Sequence, residues 1–287
     1  MQLSNILASR PSLRWDDPLL LALNILGGKQ TPYRITVVDE CCRVKGVISG
    51  RRILEVLLGK RGESIKTQKG IKGILREPVN LFLDEVHNIF PENVTPQTIL
   101  QYIAENNIGY VFVVDQNGAF KGVVDEASIL NKLKDKVFDI KVEDIMNRTI
   151  HTVLPEISLL EASTLMVNFH VRRLPVTINN TIMGIITITD ILRHVLMKEK
   201  HLELLLHDVE VEDVLKEKVK EVMCSELVYV NPVDDAGEAV NKIINNDVSC
   251  LPVIVGKNSL AGIVCRVDLL VKIIKMKGIQ TVLHLMR

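Results

Sequence analysis

The run Thr187-Ile188-Thr189-Asp190 follows a β-branched stretch and opens an apolar, helix-like pattern. A Thr at a helix entrance with an acid three residues on reads first as a capping box, in which each side chain satisfies an otherwise orphaned backbone amide. The same geometry also suits a ligand. The free amides and partial positive charge of a helix N-terminus favour a phosphate, and a carboxylate one turn in can accept both hydroxyls of a ribose. Cys265-Arg266-Val267-Asp268 repeats the pattern. There the acid stays, a thiol replaces the hydroxyl as a weaker hydrogen-bond partner, and Arg266 supplies charge. Arg172 and Arg173 carry guanidinium forks that match phosphate oxygens; a surface ion pair is their plain alternative.

Other reactive side chains lack a chemical setting. His151 and His170 lie near the Arg pair, where partial burial explains them as well as ligand contact does. His201 and His207 have no HExxH spacing, which argues against a metal site. Cys41 and Cys42 are expected in a strand, where neighbours face opposite sides and one thiol is buried. Gly27-Gly28-Lys29-Gln30 lacks the upstream glycine and the hydroxyl of a phosphate-binding loop. No GxSxG serine, GxGxxG turn or motif-placed carboxylate pair occurs. The expectation is a binding protein with no catalytic residues and no metal.

The elements that position these residues come from internal repetition. Four eleven-residue segments align without a gap: VKGVISGRRIL from Val44, FKGVVDEASIL from Phe120, IMGIITITDIL from Ile182 and LAGIVCRVDLL from Leu260. Each is preceded by a second strand-like run (RITVVD, YVFVVD, RLPVTI, CLPVIV), with turn formers such as Gln116-Asn117-Gly118 or Asn179-Asn180 between. That is hairpin punctuation. At a lag of 77 residues Met146 matches Met223, Pro155 matches Pro232 and Leu174-Pro175-Val176 matches Leu251-Pro252-Val253. Between the matched strands, Leu159, Ala162, Leu165 and Met166 follow the helical period. Each unit therefore reads strand–helix–strand–strand–helix, an α/β (α+β) arrangement. Gly59 to Lys72 has weak apolar periodicity and is expected to be a loop or crossover. Met197 to Glu221 suggests helices joining the last two units, and Lys275 to Arg287 falls outside the repeat.

Val171-Arg172-Arg173-Leu174-Pro175-Val176, followed by Gly184 through Asp190, resembles the cystathionine β-synthase (CBS) domain. The whole chain resembles four such domains in series, at 1–60 (the most divergent, with Arg34-Ile35-Thr36-Val37 in place of Leu-Pro-Val), 72–136, 140–198 and 214–275, with an extension at 276–287. The resemblance implies units paired through their sheets into two Bateman modules, which form a flat disc like that of the regulatory γ subunit of AMP-activated protein kinase. It further implies pockets shared within a module for an adenosine-containing ligand. Thr187, Thr189 and Asp190 would face Tyr229, Val230, Ser249 and Cys250. Cys265, Arg266 and Asp268 would face Thr152, Val153, Arg172 and Arg173. Two competent pockets are expected, both in the second module, because Ser49-Gly50-Arg51-Arg52 puts a cation where the ribose acid belongs. Asp125-Glu126 likewise puts acids where the phosphate would go.

Composition bounds the rest. The 287 residues carry 35 Lys+Arg against 35 Asp+Glu, so no broad basic surface for nucleic acid is expected. Lys60, Arg61, Lys66, Lys69 and Lys72 form only a local patch. Apolar residues reach 47% with 4% aromatics, and the mean hydropathy is +0.21, which sets the chain apart from disordered sequences. The apolar run from Leu19 breaks at Asn24, far short of a membrane span. Five unpaired-looking cysteines and no visible signal segment suggest a cytoplasmic protein with reduced thiols. The expected function is that of a non-catalytic regulatory sensor binding AMP, ADP or ATP and acting on an unidentified protein partner, as a monomeric disc or a homodimer. S-adenosylmethionine binding, or a scaffold or nucleic-acid-interacting role with relic pockets, are the alternatives.

Overall fold

The computed structural model describes residues 2–28, 33–197 and 210–287. The strand–helix–strand–strand–helix unit occurs four times. The first copy comprises β1 (Ser12–Arg14), α1 (Leu19–Gly27), β2 (Arg34–Val38), β3 (Val44–Ser49) and α2 (Gly50–Leu57). After α3 (Glu63–Arg76), the second has β4 (Ile89–Pro91), α4 (Pro96–Asn106), β5 (Tyr110–Val114), β6 (Phe120–Asp125) and α5 (Glu126–Lys132). The third follows a short α6 (Val142–Ile145) and contains α7 (Leu159–Asn168), β7 (Arg173–Ile178), β8 (Thr181–Thr187) and α8 (Ile188–Met197). The fourth follows α9 (Val211–Val214) and contains α10 (Ala236–Asn245), β9 (Cys250–Val255), β10 (Ser259–Cys265) and α11 (Arg266–Lys277), ending with α12 (Ile279–Leu285). In these two copies the opening strand shrinks to one parallel bridge, Val153 to Val176 and Val230 to Val253. No helix among the described residues is long and apolar enough to cross a membrane.

The local rules are visible in the chain. Ser158 and Glu161 close a full capping box at the start of α7, and Thr95 caps α4 with Pro96 in its first turn. Asn179 and Asn180, both at positive φ, make the two-residue turn that joins β7 to β8 with Ile178 opposite Thr181. Such mirror-image turns match the twist of a hairpin.

The repeated glycine has a steric cause. The segment preceding each copy runs against the glycine-bearing strand of a neighbouring copy, forming bridges Ala8–Val123, Val47–Asp84, Asn147–Ile263 and Ile185–Cys224. A Cβ would come within 2.7 Å of the Asp84 carbonyl at Gly46, 2.7 Å of the Ala8 carbonyl at Gly122 and 2.8 Å of the Cys224 carbonyl at Gly184. At Gly262 it would meet the Met146 sulfur at 2.5 Å. These exchanged segments fasten copy one to copy two and copy three to copy four. The sheets agree: Val47 of the first copy packs with Phe112 and Val123 of the second. Ile182 and Ile185 of the third pack with Cys250, Ile254, Leu260 and Ile263 of the fourth.

Helices join the two modules. One core holds the helices of copies one and three, with Leu19, Leu23, Ile53 and Leu57 meeting Leu159, Met166, Ile191 and Val195. The other holds those of copies two and four, with Ile99, Ile103 and Leu130 meeting Val240, Leu270 and Ile274. Truncating one such wholly buried Leu to Ala costs about 2–5 kcal/mol. The result is a closed disc in which each copy touches one neighbour through its sheet and another through its helices.

Two expectations are corrected, and the C-terminal extension gains a place. Residues 63–76 form a helix, not a loop: Ile71, Ile74 and Leu75 are buried, and the break at Gly70 (φ 65°) is what blurred the periodicity. Cys41 and Cys42 are both exposed. They lie in the β2–β3 turn, with Cys42 at φ 58°, because Asp39 accepts from the Cys41 and Arg43 amides and ends the strand. The C-terminal residues form α12, whose Val282 is buried against the core of copies two and four. His201, His207, Lys29, Gln30 and most of the stretch joining copies three and four lie outside the described residues.

Candidate functional site

At the centre of the disc lies a cavity of about 770 Å³ to which all four copies contribute. Its wall is the repeat seen end on. The first residues of β2, β5, β7 and β9 are Arg34, Tyr110, Arg173 and Cys250, and all four line it. Each stands opposite the residue that ends the next strand: Arg34 opposite Ser49, Tyr110 opposite Asp125, Arg173 opposite Thr187 and Cys250 opposite Cys265. Immediately after come the first residues of the four following helices, Gly50, Glu126, Ile188 and Arg266, also on the wall. Helix N-termini from four directions thus converge on one volume.

The wall is crowded with guanidinium groups, and most are matched. Arg10 pairs with Asp125 at 2.7 Å. Arg193 reaches Asp190 at 3.3 Å and the Gly28 carbonyl at 3.3 Å. Arg266 donates to Asp247 and to the Val248 carbonyl, both at 2.9 Å. Arg173 donates to the Ser249 carbonyl at 3.1 Å and to the Cys265 sulfur at 3.0 Å.

Two are not matched. Arg34 lies over the Tyr110 ring, 3.4 Å from its centroid, but its Nη1 is buried without a hydrogen-bond partner. Arg172 is half-buried on the wall and, among the described residues, has no hydrogen bond or ion pair. Its pKa is lowered to about 10, first by burial and then by the neighbouring charge of Arg34, against which Glu126 offers partial compensation.

Asp190 closes the helix entrance as the capping reading requires. Its Oδ2 accepts from the Thr187 amide at 2.9 Å and from the Thr187 hydroxyl at 2.6 Å, while its own amide donates to Thr187 Oγ1 at 3.2 Å. Thr187, Thr189 and Asp190 all reach the wall, beside Ile185 and Ile188. Among the described residues no group of three or more His, Cys, Asp or Glu side chains is arranged to hold a metal ion.

The CBS-domain family model matches residues 83–135, 142–197 and 219–275, more than half of the chain. The chain belongs to the CBS-domain family. The first copy, the most divergent in sequence, falls outside those matches but has the same element order. A crystal structure of protein MJ1225 from Methanocaldococcus jannaschii, a proposed archaeal homologue of γ-AMPK, superposes with a TM-score of 0.84 at 20% identity. It covers 94% of this chain and 99% of that one. An uncharacterized conserved protein from Pyrococcus horikoshii superposes at 0.61 with 18% identity, over 95% of this chain and all of that one. In sequence, an uncharacterized 33.4 kDa protein in a ribosomal RNA operon of Thermofilum pendens is 26% identical over 270 residues, 88% of this chain and 84% of the relative.

The CBS residues singled out from sequence divide into two groups. Thr187, Thr189, Asp190, Arg172, Arg173, Ser249, Cys250 and Arg266 share the central cavity. Cys265 sits half-buried behind Cys250. Val153 and Val230 are buried in the cores as strand bridges. Thr152 and Tyr229 are exposed, the Tyr229 carbonyl accepting from Lys242. Asp268 is exposed as well, off the cavity wall, and departs from its counterpart Asp190 for a chemical reason. The Cys265 thiol receives Arg173, α11 has no side-chain cap, and nothing draws Asp268 back over the helix entrance.

The Thr187–Asp190 entrance of the second module therefore opens into a space that the first module also lines, whereas Asp268 and Thr152 lie off it. Arg34, Tyr110 and Arg193 were not singled out from sequence, and Glu126 was read only as an acid that would repel a phosphate. The repeat register would have found Arg34, Tyr110 and Glu126, since they occupy the positions of Arg173, Cys250 and Arg266.

His151 stacks on Phe169, with 3.9 Å between ring centroids, and His170 meets Arg51 at 3.3 Å. Both are exposed and off the wall.

Proposed function

We propose that this CBS-domain protein is a non-catalytic regulator that binds an adenine nucleotide (AMP, ADP or ATP) in the central cavity, with its phosphates on Arg34 and Arg172. The observation that carries this reading is the pair of half-buried guanidiniums without anionic partners, from different copies on one cavity wall, with Arg34 Nη1 wholly enclosed. A buried cation without a partner is costly, and charge-assisted bonds to phosphate oxygens are the strong form of hydrogen bond. The volume suits a ligand of nucleotide size. Asp190 on its helix entrance supports the ribose, and Ile185, Ile188, Val248 and Pro252 offer an aliphatic bed for the base. Because Arg34 and Arg172 come from opposite modules, the ligand would draw copies one and three together, and a partner docked on the disc would feel that change.

S-adenosylmethionine fits the same ribose and base contacts but brings one carboxylate and a sulfonium to a wall that already has excess positive charge. Titration of nucleotide-stripped protein with AMP, ADP, ATP and S-adenosylmethionine by calorimetry separates the two. The nucleotide reading expects micromolar binding of at least one phosphate-bearing ligand, reduced by competing inorganic pyrophosphate. Binding of S-adenosylmethionine alone, insensitive to pyrophosphate, would replace it, and no heat from the whole panel would leave the scaffold role.

A further inference from the structure

Cys250 and Cys265 are the one thiol pair that the repeat places face to face, and their position in the ladder determines how close they stand. Ile263 exchanges both backbone hydrogen bonds with Asn147, and the Pro252 carbonyl is taken by Val230, so the Ile263–Pro252 pair is not bonded across β9 and β10. The pairing runs on without a shift to Cys265–Cys250 two residues later. Antiparallel pairing alternates, so this too is a non-hydrogen-bonded pair, and the Arg266 amide donating to the Ser249 carbonyl just beyond it agrees. Such pairs hold their Cα atoms about 4.5 Å apart with side chains on the same face, inside the range that a disulfide spans. The other three copies have Arg34–Ser49, Tyr110–Asp125 and Arg173–Thr187 at this register, none of which can make such a bond.

We propose that Cys250 and Cys265 are a peroxide-reactive dithiol in the wall of the central cavity, oxidised to a cross-strand disulfide. Cys250 lines the cavity, which gives a small hydroperoxide its route in. Arg173 spans the pair, and its Nη1 lies 3.0 Å from Cys265 Sγ. The Cys250 thiol is held down to about 6, first by the hydrogen bond from Cys265 and further by Arg173. Cys265 is pushed up, chiefly by that same hydrogen bond, and keeps its proton.

The Cys250 thiolate attacks one peroxide oxygen. The S–O bond forms, the O–O bond breaks, and the other oxygen leaves as hydroxide or alkoxide and takes a proton from solvent in the cavity to become water or an alcohol, giving a sulfenic acid. The Cys265 sulfur then attacks the Cys250 sulfur. The S–S bond forms, the S–O bond breaks, and the hydroxide leaves as water with the Cys265 proton. Two thiols are oxidised and one peroxide is reduced. The disulfide carries no charge, so Arg173 loses its thiolate counter-ion at the cavity wall. On the nucleotide reading above, on which this consequence rests, the oxidised protein binds phosphate-bearing ligands more tightly.

The test uses full-length protein with Cys41, Cys42 and Cys224 replaced by Ser, since those three thiols are exposed. Hydrogen peroxide at low equivalents is expected to consume both remaining thiols and to yield a disulfide-linked peptide pair, Cys250 joined to Cys265, which dithiothreitol returns to two free thiols. Cys265→Ser should trap a dimedone-reactive sulfenic acid at Cys250, while Cys250→Ser leaves Cys265 unreacted. Two free thiols after the peroxide is spent, in protein whose circular dichroism is native, would overturn the proposal. Ligand affinity is read separately: disulfide formed without nucleotide binding by either form refutes the nucleotide reading and leaves the dithiol standing. Disulfide formed with equal affinity in both forms refutes the coupling through Arg173.

Discussion

The guanidiniums of Arg34 and Arg172 oppose one another across the boundary between the first and third copies. The charge of the one, added to burial, lowers the pKa of the other to about 10. Folding alone gains nothing from such an arrangement, because each group would be better solvated or paired.

Replacing Arg172 by Met should therefore separate stability from function. Relief of the buried like charge predicts an unliganded midpoint equal to or above that of the wild type. Nucleotide affinity should fall by at least 10-fold, the share of one charged hydrogen bond of about 1.5–3 kcal/mol. Thermal unfolding with and without ligand measures both, and a lower unliganded midpoint would mean that Arg172 serves the fold.

The observed capping contact of Asp190 and its proposed role on the ribose can be divided by substitution. Thr187→Ala removes the cap while leaving the carboxylate, and should cost about 1 kcal/mol of stability with little loss of affinity. Asp190→Ala leaves the Thr187 hydroxyl on the residue-190 amide but removes the carboxylate, and should bring a 10- to 100-fold loss in binding. Equal affinities for the two variants would reduce Asp190 to a capping residue.

The recurrent glycine predicts a stability effect remote from the cavity. Gly46→Ala would set a Cβ within 2.7 Å of the Asp84 carbonyl, which accepts from the Val47 amide while the Asp84 amide donates to the Val47 carbonyl. Overpacking of this kind costs about 1–3 kcal/mol. Urea denaturation should show it as a lower midpoint, and an unchanged midpoint would show that the exchanged segment is free to shift.

The thiol pair predicts a pH profile. With the Cys250 thiol held below the ordinary range by the hydrogen bond from Cys265 and by Arg173, its alkylation by iodoacetamide should reach a plateau at lower pH than that of an ordinary thiol. Arg173 and Arg266 from neighbouring elements and Cys265 across the ladder are the groups that set this value. A plateau no lower in pH than that of an ordinary thiol would contradict the lowered Cys250 thiol.

How far the sequence alone reached follows from what each signal encodes. The hairpin register and the four glycines were legible because they are local and repeated. The Thr187–Asp190 box was legible because capping is set within one turn. The helix over 63–76 was not, because Gly70 divides its apolar period and its packing partners come from distant segments. The exposure of Cys41 and Cys42 hinged on one Asp39 turn. The contribution of Arg34 to the site was hidden for a different reason. The first copy looked degenerate when judged for ribose contacts, and the cavity takes charge from it instead. Which copies share a cavity is a property of helix packing between modules, and no spacing within a unit records it.

The most direct measurement is a crystal structure of the full chain grown with ATP or AMP. The account predicts nucleotide density in the central cavity, with phosphate oxygens within hydrogen-bond distance of Arg34 Nη1 and the Arg172 guanidinium. Density confined to the periphery, or a nucleotide whose phosphates point away from both arginines, would contradict it.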